Sequence, residues 1–180
     1  MTARIHPLEP PFAPALKAQL DVVMRGRPPL RLFTTLARDE RLWSKFTAGS
    51  LLDRGHLTVR QRELVIGRTT ARCRAEYEWG VHIAAFGAKA GLTEPQVRAL
   101  VHGDADDEVW GADDRLLIAL SDALHDDCDI GDALWQALRT RFSDEALLEL
   151  LMLAGFYRTV SYLVNALRLP LEPQTPRFPA

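Results

Sequence analysis

The sequence predicts an all-α, single-domain helical bundle, and three observations carry that prediction. No run of alternating β-branched residues stands out along the 180 residues, so the two-residue period of a strand is missing. Helix-opening signatures recur instead, with Thr58-Val59-Arg60-Gln61 and Thr93-Glu94-Pro95-Gln96 each placing a hydroxyl three residues ahead of a Gln. Composition fits a packed domain, because 47% hydrophobic and 26% charged residues is the balance of a globular chain long enough for one core.

Taken in order, residues 1–14 read as an extended proline-rich arm, since Pro7, Pro10, Pro11 and Pro14 remove amide donors and push their neighbours from helical angles. The arm is expected along the surface or on a neighbouring subunit. A helix is predicted over 15–24, stopped by the breaker from Gly26 to Pro29, with a helical pattern following from Leu32 to Leu52. Phe33, Leu36, Trp43 and Phe46 partly keep helical spacing and read as core. The Thr58 capping box opens a helix running to about Arg72, and another spans from Ala75 to just before Gly91, a natural left-handed cap. A short helix follows Thr93 and closes at Gly103. After the acidic loop 104–111, helices are expected over 113–126, 131–141 and 144–167, the last opened by Ser143 and ended ahead of Pro170. Residues 171–180 form a proline-rich tail, leaving 15–170 as the domain.

Several function classes are disfavoured at this level. A net charge of −2 with no basic cluster gives no attraction for nucleic acid or anionic lipid. The most apolar stretch, from Leu147 to Tyr157, is interrupted by Glu149 and followed by Arg158, too short and polar for a membrane span. Cys73 and Cys128 form neither a redox pair nor a metal framework by spacing, which suits a reducing cytoplasm. The N-terminus lacks the apolar run of a signal peptide.

The residues suited to chemistry cluster between 58 and 91. Glu78 and His82, four apart on one predicted helix, face the same side and can share a ligand, and the helix start favours an ionised Glu78. Glu63 lies among Leu64, Val65 and Ile66, with Gly67 and Thr70 leaving room for an approaching helix or ligand, so it must be exposed, paired or protonated. Enclosure of all three in one pocket would push His82 toward its neutral form. The bland alternatives are dipole complementation for Glu78 and a solvated pair with Arg60 for Glu63. Arg68, Arg72 and Arg74 could hold an anionic substrate, with surface ion pairs as the competing reading. A metal site is not expected, because the Glu-x-x-His signature of carboxylate-bridged diiron helices is absent here. His6, His56, His102 and His125 lack partners at diagnostic spacing, and the acids flanking Cys128 make it a poor nucleophile.

The stretch from Arg62-Glu63-Leu64-Val65-Ile66 through Glu76-Tyr77-Glu78-Trp79-Gly80-Val81-His82 to Ala90-Gly91-Leu92-Thr93 resembles the carboxymuconolactone decarboxylase family, which includes the alkylhydroperoxidase D group. Gly155-Phe156-Tyr157-Arg158 through Asn165-Ala166-Leu167 is similar to the family's last helix, so the resemblance covers most of the chain. In the peroxidase branch the motif is a Glu, a Cys twelve residues on, a second Cys three further and a His four beyond. Here those places hold Glu63, Ala75, Glu78 and His82, and a thiol-disulfide cycle cannot run on Ala and Glu. The decarboxylase branch, by the same resemblance, relies on Glu and His where Glu78 and His82 stand, while Glu63 belongs to the peroxidase pattern.

The resemblance implies an alkylhydroperoxidase D-like bundle assembled as a trimer or hexamer, binding a small-molecule substrate without a cofactor. Glu63, Glu78 and His82 are the expected catalytic residues, and Arg72, Arg74 and Tyr77 the expected substrate-binding ones. The reading that follows is a carboxy-lyase-like enzyme doing acid/base chemistry, decarboxylation or a related proton transfer, on a small carboxylated or carbonyl compound. A catalytically silent binding or assembly module is the alternative. Residual hydroperoxidase activity through Cys73 is the third reading.

Overall fold

A computed structural model describes residues 2–180 and contains helices but no strand among them. The α-helices are α1 (Pro14–Met24), α2 (Arg31–Leu36), α3 (Glu40–Ala48), α4 (Val59–Arg72), α5 (Glu76–His82), α6 (Glu94–His102), α7 (Ala112–Asp126), α8 (Asp132–Arg139) and α9 (Asp144–Ala166), with a π-helical turn, Ile83–Gly87, continuing α5.

The centre of the bundle is α4, which packs against α5, α6, α7 and α9. Both sequence-level capping boxes form, at Thr58/Gln61 and at Thr93/Gln96. Every residue of α4 from Arg62 to Thr70 is buried, the pattern of a helix surrounded on all sides. Gly67 makes one of those contacts possible, since a Cβ there would lie 2.9 Å from a Leu100 methyl of α6. Three Arg side chains of α4 bond Asp side chains of α7 at one constant offset of 54 residues: Arg60 with Asp114 (2.6 Å), Arg68 with Asp122 (2.7 and 2.8 Å) and Arg72 with Asp126 (2.5 Å). A constant offset, rather than a constant sum, means that the two helices run parallel and in register. Arg68 is the buried member of the series, and its second bond to the Leu100 carbonyl (3.0 Å) satisfies the guanidinium in the core.

The expected helix from Leu32 to Leu52 is two helices. Asp39 caps α3 by accepting from the Leu42 amide (2.9 Å), and this local bond competes with helix continuation. The arm lies on its own chain, tied by the Arg4 amide to the Leu167 carbonyl (2.8 Å) and by the Leu8 amide to Thr34 (3.2 Å). The tail is also docked. Glu172 accepts from the Arg31 amide (2.7 Å) and the Tyr77 hydroxyl (2.5 Å), and Phe178 packs edge-on against Trp79 at 5.2 Å.

At 23 residues, α9 is longer than the apolar stretch singled out in the sequence, and with a mean hydropathy of 1.4 it is long and apolar enough to cross a membrane by length and composition alone. In this fold it is a core helix, burying Leu147, Leu150, Leu153, Tyr157, Val160 and Val164 against the bundle. Leu148, Met152 and Tyr162 stand exposed on its outer side.

Candidate proton-transfer site

Glu63, Glu78 and His82 meet because the chain reverses tightly between α4 and α5. The reversal is a Schellman cap: the Ala75 amide reaches back to the Thr70 carbonyl (2.8 Å) and the Arg74 amide to Ala71 (2.9 Å), with Arg74 in the left-handed region at φ 54°. Folding back along α4, α5 brings His82 beside a residue 19 positions earlier in the chain. The tail fixes the outer side of α5, where a Cβ on Gly80 would lie 2.6 Å from the Pro176 carbonyl oxygen, so a residue with no side chain is needed there.

His82 lies between two carboxylates. Its Nδ1 is 2.7 Å from Glu63 Oε2 and its Nε2 is 3.4 Å from Glu78 Oε1. The other Glu63 oxygen accepts from Arg62, with Nε and Nη2 both at 2.9 Å, and the Arg62 guanidinium lies over the Phe86 ring, 5.2 Å from its centroid. Tyr157 presents its ring edge-on to the imidazole at 4.9 Å. All five of these residues are 8% exposed or less, so their charges interact with little screening by water. The π-helical turn begins at the residue after His82, a distortion that often marks functional positions.

Burial alone would lower the proton affinity of His82, which is the basis of the sequence-level expectation of a neutral ring. The bonds to Glu63 and Glu78 outweigh it, and the pKa is raised to about 9. His82 is therefore an imidazolium at neutral pH, donating from Nδ1 to Glu63 and from Nε2 toward Glu78. The Tyr157 phenol is pushed well above its ordinary range by burial and then by Glu78 and Glu63, so it stays protonated. Glu78 Oε2 is buried with no hydrogen-bond partner. The site thus holds a proton donor on His82 and an unused acceptor on Glu78, separated at Nε2 by a contact longer than a good hydrogen bond.

The expected substrate-binding residues do not join this cluster. Arg72 is held by Asp126 and lies 3.5 Å from Asp122, because its position on α4 faces α7. Arg74 is the left-handed residue of the Schellman cap and is exposed. The hydroxyl of Tyr77 is taken up by the Leu32 amide (3.1 Å) and Glu172. Two members of the site escape sequence reasoning: Arg62, adjacent to Glu63 but with no spacing that marks it, and Tyr157, 75 positions beyond His82. Arg60, the bland alternative partner for Glu63, pairs with Asp114 instead.

Cys73 lies at the end of α4 with its Sγ 3.7 Å from His125 Nδ1, a long-range pairing that no sequence spacing announces. Burial pushes the Cys73 thiol up in pKa, against weaker opposing effects of Ser161, Arg158 and Arg72. Cys73 and Cys128 are both free.

Residues 40–122, which include Glu63, Glu78 and His82, match the model of the carboxymuconolactone decarboxylase family. Over that segment, the chain is similar to the carboxymuconolactone decarboxylase family. Solved structures are similar to the chain in fold. An uncharacterized peroxidase-related protein from Silicibacter sp. TM1040 superposes with a TM-score of 0.80 at 16% identity, covering 95% of this chain and 94% of that one. The alkylhydroperoxidase AhpD core of a peroxidase-related protein from Ralstonia eutropha JMP134 gives 0.75 at 17% identity, over 96% and 95% of the two chains. A variant of the debrominase Bmp8 in complex with 2,3,4-tribromopyrrole gives 0.77 at 14% identity, over 96% and 94%. No curated protein gives a significant match. At these identities the neighbours establish the alkylhydroperoxidase D-like fold of this chain, and its chemistry rests on its own residues.

Proposed function

We propose that this protein carries out acid/base chemistry of the carboxymuconolactone decarboxylase kind without a cofactor, decarboxylation or a related proton transfer, on a small carboxylated or carbonyl compound. Glu63, His82 and Glu78 are its catalytic residues. The observation that carries the reading is the imidazole of His82 held between two buried carboxylates, which favours its protonated form, beside an oxygen of Glu78 that has no partner. For a carboxylated lactone, the C–C bond to the carboxylate breaks, CO2 leaves, and the electron pair moves into the conjugated lactone carbonyl. His82 then delivers its proton to the carbanion-equivalent carbon, and solvent restores it. Glu63 holds the imidazole through Nδ1, and the free oxygen of Glu78 accepts from a donor on the substrate. The two carboxylates take different roles because Arg62 bonds only Glu63.

A specific observation favours the alternative of a silent binding or assembly module: Glu63, Glu78 and His82 are each 6% exposed or less. Turnover therefore requires side chains near Nε2 to move aside. Hydroperoxidase chemistry through Cys73 is the weakest reading, since burial disfavours its thiolate. Incubation with carboxymuconolactone and related small carboxylated lactones, read by CO2 release, separates these readings. Turnover that falls about a hundredfold or more in a folded His82→Gln variant supports the enzyme. Thermal stabilisation by the lactone without CO2 release supports the binding module.

A homo-oligomer, trimer or hexamer, belongs to the same proposal and is supported by exposed Leu148, Met152 and Tyr162 on α9. Light scattering giving 20.2 kDa at micromolar protein would remove it. A cytoplasmic setting is supported by the two free thiols.

A further inference from the structure

We propose that the outer face of α9 is a two-fold contact with a second copy of this chain, in which two antiparallel α9 helices meet at Met152 and Gly155. This contact rests on the homo-oligomer reading and adds to it a surface and a symmetry. An isologous contact builds a dimer or a hexamer but not a bare trimer.

Leu148, Met152, Gly155, Thr159 and Tyr162 form one exposed line along α9, in alternating steps of four and three residues. That seven-residue repeat keeps a seam turned toward a second helix. Leu148, Met152 and Tyr162 are 62%, 63% and 58% exposed, and among the large apolar side chains of the described residues only Val22 is more exposed than these. Apolar groups gathered in one line, unlike scattered ones, mark an interaction surface.

Gly155 lies at the centre of the line, and nothing within its own chain requires a glycine there. Glycine in a helix interior is unfavourable, and elsewhere a close neighbour accounts for it: a Cβ on Gly67 would lie 2.9 Å from a Leu100 methyl, and one on Gly80 2.6 Å from the Pro176 carbonyl oxygen. A Cβ on Gly155 meets nothing within 4 Å. Bare backbone facing outward suits close approach by a group from another chain.

The line is also self-complementary. One antiparallel register sets Met152 over the partner's Gly155, Leu148 beside the partner's Thr159 and Glu145 beside the partner's Tyr162, so that a large group meets a small one in the central layers. Methionine suits the position over a glycine, because its unbranched, flexible side chain fills irregular gaps. Charge selects the direction. The first turn of α9 carries exposed Asp144 and Glu145, whereas Arg158 lies toward the other end, with its Nε bonded to the Tyr162 hydroxyl (2.8 Å). Antiparallel pairing joins the acidic end to the basic end twice, and parallel pairing would set like charges side by side.

The test is light scattering of the full chain at micromolar concentration. The mass should be an even multiple of 20.2 kDa, and Gly155→Leu should halve it with unchanged circular dichroism. Leu148→Glu and Thr159→Arg should each weaken association by about tenfold or more, and the two together should restore it. Within one chain these positions lie about 16 Å apart along the helix, so the new charges can meet only across the contact. A mass of three times 20.2 kDa, or one unchanged in Gly155→Leu, overturns the α9 contact and leaves a homo-oligomer standing. A double variant that fails to restore association overturns the antiparallel register. A monomeric wild type removes the contact and the homo-oligomer together, and a monomer that floats with phosphatidylcholine vesicles assigns the face to lipid instead.

Discussion

Glu63 and Thr69 lie six residues apart on α4, both buried, yet their surroundings solve the same problem in opposite ways. Around Glu63 the charges are matched: a guanidinium and an imidazolium meet two carboxylates, rings of Phe86 and Tyr157 fill the remaining space, and one oxygen of Glu78 is left over. Around Thr69 the space is left open, and the nearby titratable groups, Cys73 and His125, are joined by a single contact of 3.7 Å. The tight region holds a proton that burial alone would expel, whereas the loose region leaves its thiol and imidazole uncharged. Matched opposite charge, rather than burial, decides which histidine is ionised.

The largest effect that could break this contrast is on stability. Glu63→Leu leaves Arg62 and His82 as buried cations without their shared carboxylate, and a loss of about 3–5 kcal/mol is expected in urea unfolding. Cys73→Ala, half-buried and weakly bonded, should cost about 1 kcal/mol. Equal losses would mean that the charge cluster is no more tightly integrated than the thiol.

The pH dependence sharpens the contrast, because the two histidines act in opposite directions. His82 has a folded pKa of about 9, above its ordinary 6.5, so its contribution is complete below about pH 6.5 and is lost as pH rises through 9. The amount lost is on the order of 3 kcal/mol. His125 is pushed down by burial and then by Arg72 and Arg158, so its smaller contribution is present above 6.5 and is lost as pH falls through its lowered folded value. Unfolding free energies measured from pH 5 to 10 should show an alkaline decline that vanishes in His82→Gln and survives in His125→Gln.

The smallest effect concerns the thiols. Cys128 is exposed and Cys73 is half-buried with a raised pKa, so iodoacetamide should label Cys128 severalfold faster. Peroxide should produce no bridge between them. Mass spectrometry finding the two peptides linked with the loss of two hydrogens would contradict the non-redox reading.

Much of this was legible in the sequence. The capping boxes at Thr58 and Thr93 and the Ser143 cap are local hydrogen-bond patterns, and each formed where its residues stand. The convergence of Glu63, Glu78 and His82 was legible through four-residue helical spacing and the family motif. Arg62, Tyr157 and His125 were not, because their partners are set by how α4, α5, α7 and α9 pack, and helical period carries no information about that. The ionisation of His82 differs from the neutral ring the sequence predicts for a related reason: desolvation follows from burial, but the opposing carboxylate bonds require distances. Arg72 and Arg74, expected to bind substrate, instead sit in the α4–α7 register and close a helix, and for Arg72 the competing ion-pair reading is the one the structure shows.

The central claim, that His82 is kept protonated between Glu63 and Glu78, is tested most directly by 15N NMR of the imidazole across a pH titration. The account predicts equivalent imidazolium nitrogen shifts at neutral pH and a midpoint near 9. A midpoint at or below 6.5, with one nitrogen showing the shift of an unprotonated ring at pH 7, would contradict it.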